Sequence, residues 1–249
     1  MTAAQEAGRA VIWHEVECGA YASDLALWEE LAAAQGSPVL ELGAGTGRVA
    51  LHLARRGFEV HAVDVEEALV EALRARAGED ALAVRAVRAD ARGEPPAEGA
   101  YPLVIAAMQL IQLLGGPEGR AAALAAIRRA LAPGGIAALA LVEGAEDTVG
   151  DAGPGTMPDV REVDGWVHSS LPVEVSAANG RLEVRRLRQL VSPVGELTES
   201  LHVDSLDVLD ASTLETEAMG VGLARAGRRL VPESELHVAS SVVLLEREA

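Results

Sequence analysis

Between Val39 and Val142 the sequence alternates five short apolar runs with longer segments whose apolar residues recur at helical spacing. The runs are Val39–Leu42, Phe58–Asp64, Ala81–Val87, Pro102–Met108 and Ile136–Val142. Between them Val49, Ala50, Leu53 and Ala54 share one helical face, as do Leu69, Val70 and Leu73. Gly57 and Gly78 stand where left-handed helix ends are expected, and Pro117 suits the first turn of a helix reaching Leu131. Apolar strands joined by amphipathic helices dictate right-handed crossovers and a parallel sheet covered on both faces. With 49% hydrophobic residues in 249, there is ample material for such a core.

The pattern changes after residue 143. Gly, Pro and Asp crowd residues 144–158, which read as a loop, and three extended runs follow: Trp166–Ser176, Arg181–Val191 and Leu197–Val208. Asn179-Gly180 is a hairpin signal, because both central residues of the favoured turn need positive φ. A three-stranded antiparallel insert is predicted after strand five, then a helix over Ser212–Gly220 and two strands, Ala224–Val231 and Val238–Glu246, that complete a seven-stranded sheet. Ahead of the alternation, Val11–Ala34 reads as irregular chain leading into a helix. This leader holds Trp13, Tyr21 and Trp28, half of the six aromatic residues. It serves either as a packing helix over a sheet edge or as a flap over a ligand.

The turn after the first strand, "ELGAGTGR", exposes backbone amides with no Cβ in the way, so a ligand can approach the chain itself. A dinucleotide loop would space its glycines G-x-G-x-x-G. Here Gly43, Gly45 and Gly47 run G-x-G-x-G, and Arg48 stands where the third dinucleotide glycine would fall. With Glu41 upstream, the segment resembles motif I of the class I S-adenosylmethionine-dependent methyltransferases. Asp64 ends strand two where that family places the acid that takes the ribose hydroxyls. Asp90 in "RADAR" follows strand three where the family places the acceptor of the adenine amino group, and "LAPGG" precedes strand five. The resemblance spans Val39 to Val142. It implies a Rossmann-like α/β fold, S-adenosylmethionine as cofactor, and a cofactor site of Glu41, Gly43, Ala44, Gly45, Gly47, Asp64, Val65, Asp90, Ala91 and Met108. It also implies a single domain over 1–249: a lid at 1–36, the cofactor core at 37–143, the insert at 159–209, and 210–249 closing the sheet. More loosely, the aromatic leader and the insert resemble the lid of glycine N-methyltransferase-like enzymes, which adds Tyr21 and Trp28 beside the cofactor.

Methyl transfer is an in-line displacement whose main demands are alignment and exclusion of water. Trp13, Tyr21, Gln109 and Gln112 are the substrate-pocket candidates. Of six histidines, His14 and His168 are the candidates for a general base; no metal spacing links them. Arg186 and Arg188 share one strand face with Arg185 opposite, either a salt-bridged strand or a seat for an anionic substrate. A net charge of −17 excludes partners bound through phosphate neutralisation, so a nucleic-acid acceptor is not expected. No lysine occurs, which rules out a pyridoxal Schiff base and the phosphate-loop lysine. A single cysteine and no apolar stretch near 20 residues point to a cytoplasmic chain outside the membrane. A small-molecule N, O or C acceptor and a monomer or homodimer are expected. An NAD(P)-dependent oxidoreductase on a similar sheet and a non-catalytic S-adenosylmethionine-binding protein are the alternatives.

Overall fold

The structure is a computed structural model that describes residues 3–144, 149–151, 157–234 and 237–249. Helices α1 (Ala3–Cys18) and α2 (Leu25–Gln35) come first. Then β1 (Val39–Leu42), α3 (Arg48–Arg55), β2 (Val60–Asp64), α4 (Glu67–Glu79), β3 (Val84–Arg88), β4 (Tyr101–Ala106), a 3-10 turn at Leu110–Leu113, α5 (Gly116–Ala130) and β5 (Leu131–Leu141) follow in alternation. Five strands come next: β6 (Gly150–Asp151), β7 (Asp159–Val163), β8 (Trp166–Ala178), β9 (Arg181–Val191) and β10 (Leu197–Asp207). The chain ends with α6 (Ala211–Gly220), β11 (Ala224–Val231) and β12 (Ser240–Glu246).

Two compact units result, Met1–Ala20 with Gly144–Val208, and Tyr21–Glu143 with Leu209–Ala249. The larger holds the seven-stranded sheet in the order β11-β12-β5-β4-β1-β2-β3, so the sheet is Rossmann-like. β3, β2, β1, β4 and β5 pair in parallel, whereas β12 runs antiparallel to both β5 and β11. All four residues of β1 are buried, as a central strand covered on both faces requires. Helix α3 buries Val49, Ala50, Leu53 and Ala54 as their spacing dictates, and Gly57 takes φ +90° after it. The chain leaves β1 toward β2 on one side, while β4 and β5 lie on the other. The crevice outside the carboxyl ends of β1 and β4 is therefore the switch point where sheets of this kind bind ligands.

In the smaller unit β10, β9, β8 and β6 form an antiparallel sheet, and β7 also pairs with β8. The Asn179-Gly180 turn takes φ +53° and +73°, as a hairpin between β8 and β9 needs. The three predicted strands are all present, but the sheet has five. β7 joins β8 through Asp164 and Gly165, φ +52° and +78°, a second hairpin turn of the same kind that was missed because "DVREV" carries mostly polar residues. Part of the loop expected over 144–158, namely 145–148 and 152–156, lies outside the described residues.

Three further expectations are corrected. Val11–Cys18 is helical, not irregular, and α1 belongs to the smaller unit while α2 belongs to the larger. α4 runs through Gly78 to Glu79 with Asp80 as its C-cap, and the left-handed residue is supplied by Ala81 at φ +50°. "LAPGG" is drawn into β5, where pairing with β4 jumps from Tyr101–Leu131 to Leu103–Ile136. Among the described residues no helix is long and apolar enough to cross a membrane.

Candidate functional site

The glycine turn stands at the carboxyl edge of β1. Gly43, Gly45 and Gly47 take φ +64°, +55° and +94°, conformations that cost an L side chain about 1–2 kcal/mol. Space is tight as well: a Cβ on Gly43 would come within 2.8 Å of Leu110 Cδ1, and one on Gly47 within 2.2 Å of Leu73 Cδ1, so those leucine side chains would have to shift. Ala44 N–H continues the ladder by donating to Val63 O at 3.0 Å, and the turn closes through Gly47 N–H to Ala44 O at 2.9 Å.

Asp64, the last residue of β2, is held against this turn. Its Oδ2 accepts from Gly45 N–H at 2.7 Å and its Oδ1 from Glu66 N–H at 2.9 Å. A carboxylate offers about four lone-pair sites, so two remain for another donor. Val65, next along, is exposed. Asp90 lies beyond β3 in the same row of strand ends. Arg92 grips its carboxylate, with Nη2 to Oδ2 at 2.6 Å and Nε to Oδ1 at 2.9 Å. Those bonds hold the Asp90 carboxyl below the usual carboxylate range, so it is ionised at neutral pH. Across the switch point, Met108 follows β4 at φ +54°, a strained position for a side chain that size.

Beneath the turn lies a buried acid. Glu41 is 2% exposed, and its Oε2 has no hydrogen-bond partner. Desolvation pushes its carboxyl up to about 8, against the pull of Arg48 and the Ala50 amide, and Asp24 and Asp64 push the same way as burial. Glu41 is therefore protonated at neutral pH.

Arg48 shows why a charged side chain occupies the third-glycine position. It turns toward the leader, donating Nη1 to Asp24 Oδ1 at 2.5 Å, Nη2 to Asp24 Oδ2 at 2.8 Å and Nη1 to Tyr21 O at 3.0 Å. Its guanidinium sits 5.0 Å from the Tyr21 ring centre, a cation-π contact. Trp28 Nε1 also donates to Asp24 Oδ2, at 2.8 Å. Trp28 is thus a fully buried core residue with its indole N–H engaged, not a lining residue as its place in the leader suggested. Tyr21 is also buried and packs on the His237 ring at a centroid distance of 4.6 Å; burial and Asp24 raise its hydroxyl above the ordinary value.

Gln112 is engaged as well. Its amide donates to Val142 O at 3.0 Å and accepts from Val142 N–H at 2.9 Å, fixing the end of β5 rather than facing a substrate. Gln109, three residues earlier, is half-buried at the mouth of the 3-10 turn. Glu143 accepts from Ala211 N–H at 2.7 Å and from the Ser241 hydroxyl.

Trp13, His14 and His168 belong to the smaller unit, whereas Tyr21 and the glycine turn belong to the larger. There the Trp13 ring meets His168 edge-on at 5.3 Å, and burial lowers the His168 imidazole below the ordinary histidine value. Arg188 forks onto Glu17 at 2.7 Å, Arg186 lies 3.4 Å from Asp159, and Arg185 reaches Glu174 at 3.2 Å. The strand arginines are salt-bridged, as the first of the two readings requires.

Sequence reasoning missed Asp24, Arg92 and His237. Asp24 and Arg48 lie 24 positions apart, and only the fold joins them. Arg92 was open to discovery, since an arginine two residues after a loop acid reaches back easily.

Comparison with known proteins agrees with the geometry. Residues 39–135 match a family model described as a methyltransferase domain. No curated protein sequence matches the chain. Among solved structures, the CcbJ methyltransferase of Streptomyces caelestis superposes with a TM-score of 0.69 at 24% identity, covering 92% of this chain and 91% of that one. The sugar N-methyltransferase KedS8 of a Streptoalloteichus species gives 0.75 at 15% identity, covering 96% and 92%. The amino pentose methyltransferase CalS10 of Micromonospora echinaspora, solved with S-adenosylmethionine bound, gives 0.69 at 18% identity, covering 99% and 97%. At these identities the likeness establishes a shared fold.

Proposed function

We propose that this chain, a class I S-adenosylmethionine-dependent methyltransferase by its domain and fold, transfers a methyl group to a small-molecule N, O or C acceptor. The observation that carries this reading is the Asp64 carboxylate 2.7 Å from the Gly45 amide. Bound S-adenosylmethionine supplies a sulfonium whose methyl is open to in-line attack.

The chain's own residues bind and orient. Asp64 keeps lone pairs for two ribose hydroxyls, and a phosphate at that position would be repelled. Gly43, Ala44, Gly45 and Gly47 let the ligand lie against the backbone, with Glu41 below them. Ionised Asp90 accepts from the adenine amino group once it shares or releases Arg92, with Ala91 and Val65 alongside. Met108 and Gln109 line the switch point where the acceptor enters. Tyr21 presents an aromatic ring backed by Arg48. Gln112 acts as a positioning residue through Val142. His14 and His168 remain candidate bases in the smaller unit, required only if the acceptor is an alcohol or phenol; an amine needs none.

A small-molecule acceptor is supported by the charge of −17, which disfavours nucleic acid, and by solved neighbours that methylate an amino pentose and a sugar nitrogen. Calorimetric titration with S-adenosylmethionine tests the reading. Binding in the micromolar range is expected, weakened at least tenfold by Asp64→Ala with an unchanged circular dichroism spectrum. No heat at millimolar cofactor would overturn it.

A further inference from the structure

Most of the 21 arginines in this acidic chain meet a carboxylate within 3.4 Å. Arg128, Arg129 and Arg247 do not, and all three stand at one place in the larger unit. Arg128 and Arg129 fill the last turn of α5, and Arg247 follows β12. β12 runs antiparallel to β5, with Glu246 opposite Ile136, so its end returns to the edge where β5 begins. Gly99 leads into β4 at that same edge, donating its N–H to Arg129 O at 2.7 Å. The glycine turn lies at the opposite, carboxyl edge of the sheet. Between these segments opens a cleft of about 240 Å³ lined by Glu98, Gly99, Arg128, Arg129 and Arg247. Part of each guanidinium caps backbone: Arg128 Nε donates to Gly222 O at 3.2 Å, Arg129 Nη2 to Gly93 O at 3.1 Å, and Arg247 Nη1 to Leu131 O at 2.6 Å and Arg128 O at 3.3 Å. Cations at a helix C-terminus are ordinary. An arginine has five N–H donors, however, and capping leaves most of these without an acceptor among the described residues. Arg129 Nε is buried with no hydrogen-bond partner, the nearest carboxylate oxygen being Glu98 Oε1 at 3.7 Å.

We propose that this cleft binds a dianionic oxyanion, a phosphate ion or the phosphoryl end of a small phosphate ester, at a second site remote from the glycine turn. The charges call for it. Three arginines against the single acid Glu98 leave a local surplus of two positive charges, and a dianion cancels it. Arginine forks match phosphate oxygens two at a time, and a tetrahedral oxyanion has enough oxygens to meet forks arriving from three segments, whereas a carboxylate has only two. The size fits a compact ligand, since sites that enclose a whole organic molecule run from about 300 to 1,000 Å³. The overall charge of −17 does not forbid the site, because at physiological salt a charge is screened beyond about 8 Å and the cleft has only one acid in its lining. The same screening leaves the chain unfit for a long phosphate backbone, which needs basic groups over a far larger surface.

Thermal unfolding of the full chain at fixed ionic strength tests the proposal, with inorganic phosphate and glycerol phosphate as probes and chloride as the control. A saturable rise of about 3–6 °C is expected at ten times the dissociation constant of the probe. The tighter of the two probes shows whether the free ion or an ester is the ligand. Arg129→Gln should weaken binding at least tenfold, while Glu98→Gln, which removes the one acid, should tighten it about threefold or more. Arg55→Gln, a surface arginine elsewhere, should leave it unchanged. Glu98 is two-thirds exposed, so Glu98→Gln keeps the fold and decides the matter alone should Arg129→Gln fail to fold. S-Adenosylmethionine titration of Glu98→Gln should match the wild type, which keeps this site separate from the proposed activity. No saturable response to either probe up to about 20 mM overturns the proposal, as does an equal response to chloride or a Glu98→Gln response identical to that of the wild type.

Discussion

Replacing Glu41 by Gln removes a buried group that can ionise only at a cost, and the size of that cost follows from its surroundings. The side chain is 2% exposed, one oxygen lacks a partner, and its carboxyl titrates at about 8 instead of 4.5. Between those two values the folded chain holds a proton that the unfolded chain has released. Stability from this group is therefore complete below about pH 4.5 and is lost as pH rises through about 8. At roughly 1.4 kcal/mol per pH unit, the full loss is on the order of 5 kcal/mol. Glu41→Gln keeps the shape and cannot ionise. Urea denaturation of both proteins from pH 5 to 9 should show similar stability at the acid end and a wild-type deficit that grows steadily and levels off above pH 8. Two parallel curves across that range would mean that Glu41 is ionised in the folded chain at neutral pH, and the argument from desolvation would fail.

Asp24→Ala should cost about 3–5 kcal/mol in urea denaturation, because it leaves the Arg48 guanidinium, only 9% exposed, without its carboxylate. Asp24→Leu with Arg48→Met should recover most of that loss. Gln112→Ala should destabilise by about 2–4 kcal/mol, since the Val142 N–H and C=O lose both partners, and should lower cofactor affinity less than Asp64→Ala does. His168 is held neutral by burial, so its contribution is present above the ordinary histidine value and is lost as pH falls through the lowered folded value. His168→Gln should therefore flatten the decline in melting temperature between pH 7 and pH 5 relative to the wild type, while an unchanged decline would place the acid sensitivity elsewhere.

Much of the geometry around the glycine turn was legible because it is local chemistry. Gly43, Gly45 and Gly47 announce positive φ by residue type, and Asp64 announces itself by closing an apolar run. Parallel pairing of β1 with β2 then sets Asp64 beside the turn without further information. The surroundings of the turn were less legible. Trp28, placed beside the cofactor by the lid resemblance, and Gln112, placed in the pocket by its position after strand four, are each held by hydrogen bonds to a partner that the local sequence does not name. The β7 strand was missed for a related reason: its polar residues carry no period, and only pairing with β8 makes it a strand.

Apolar periodicity, turn residues and strand-end acids by themselves determined the alternating α/β core, its order of elements and the place of the glycine turn, because each depends on residues within a few positions of one another. Tertiary structure alone decided that Arg48 clasps Asp24, that Glu41 is buried deeply enough to hold its proton, and that α1 packs on the His168 side of the insert sheet. Those outcomes depend on which distant surfaces exclude water together, and no local pattern encodes that.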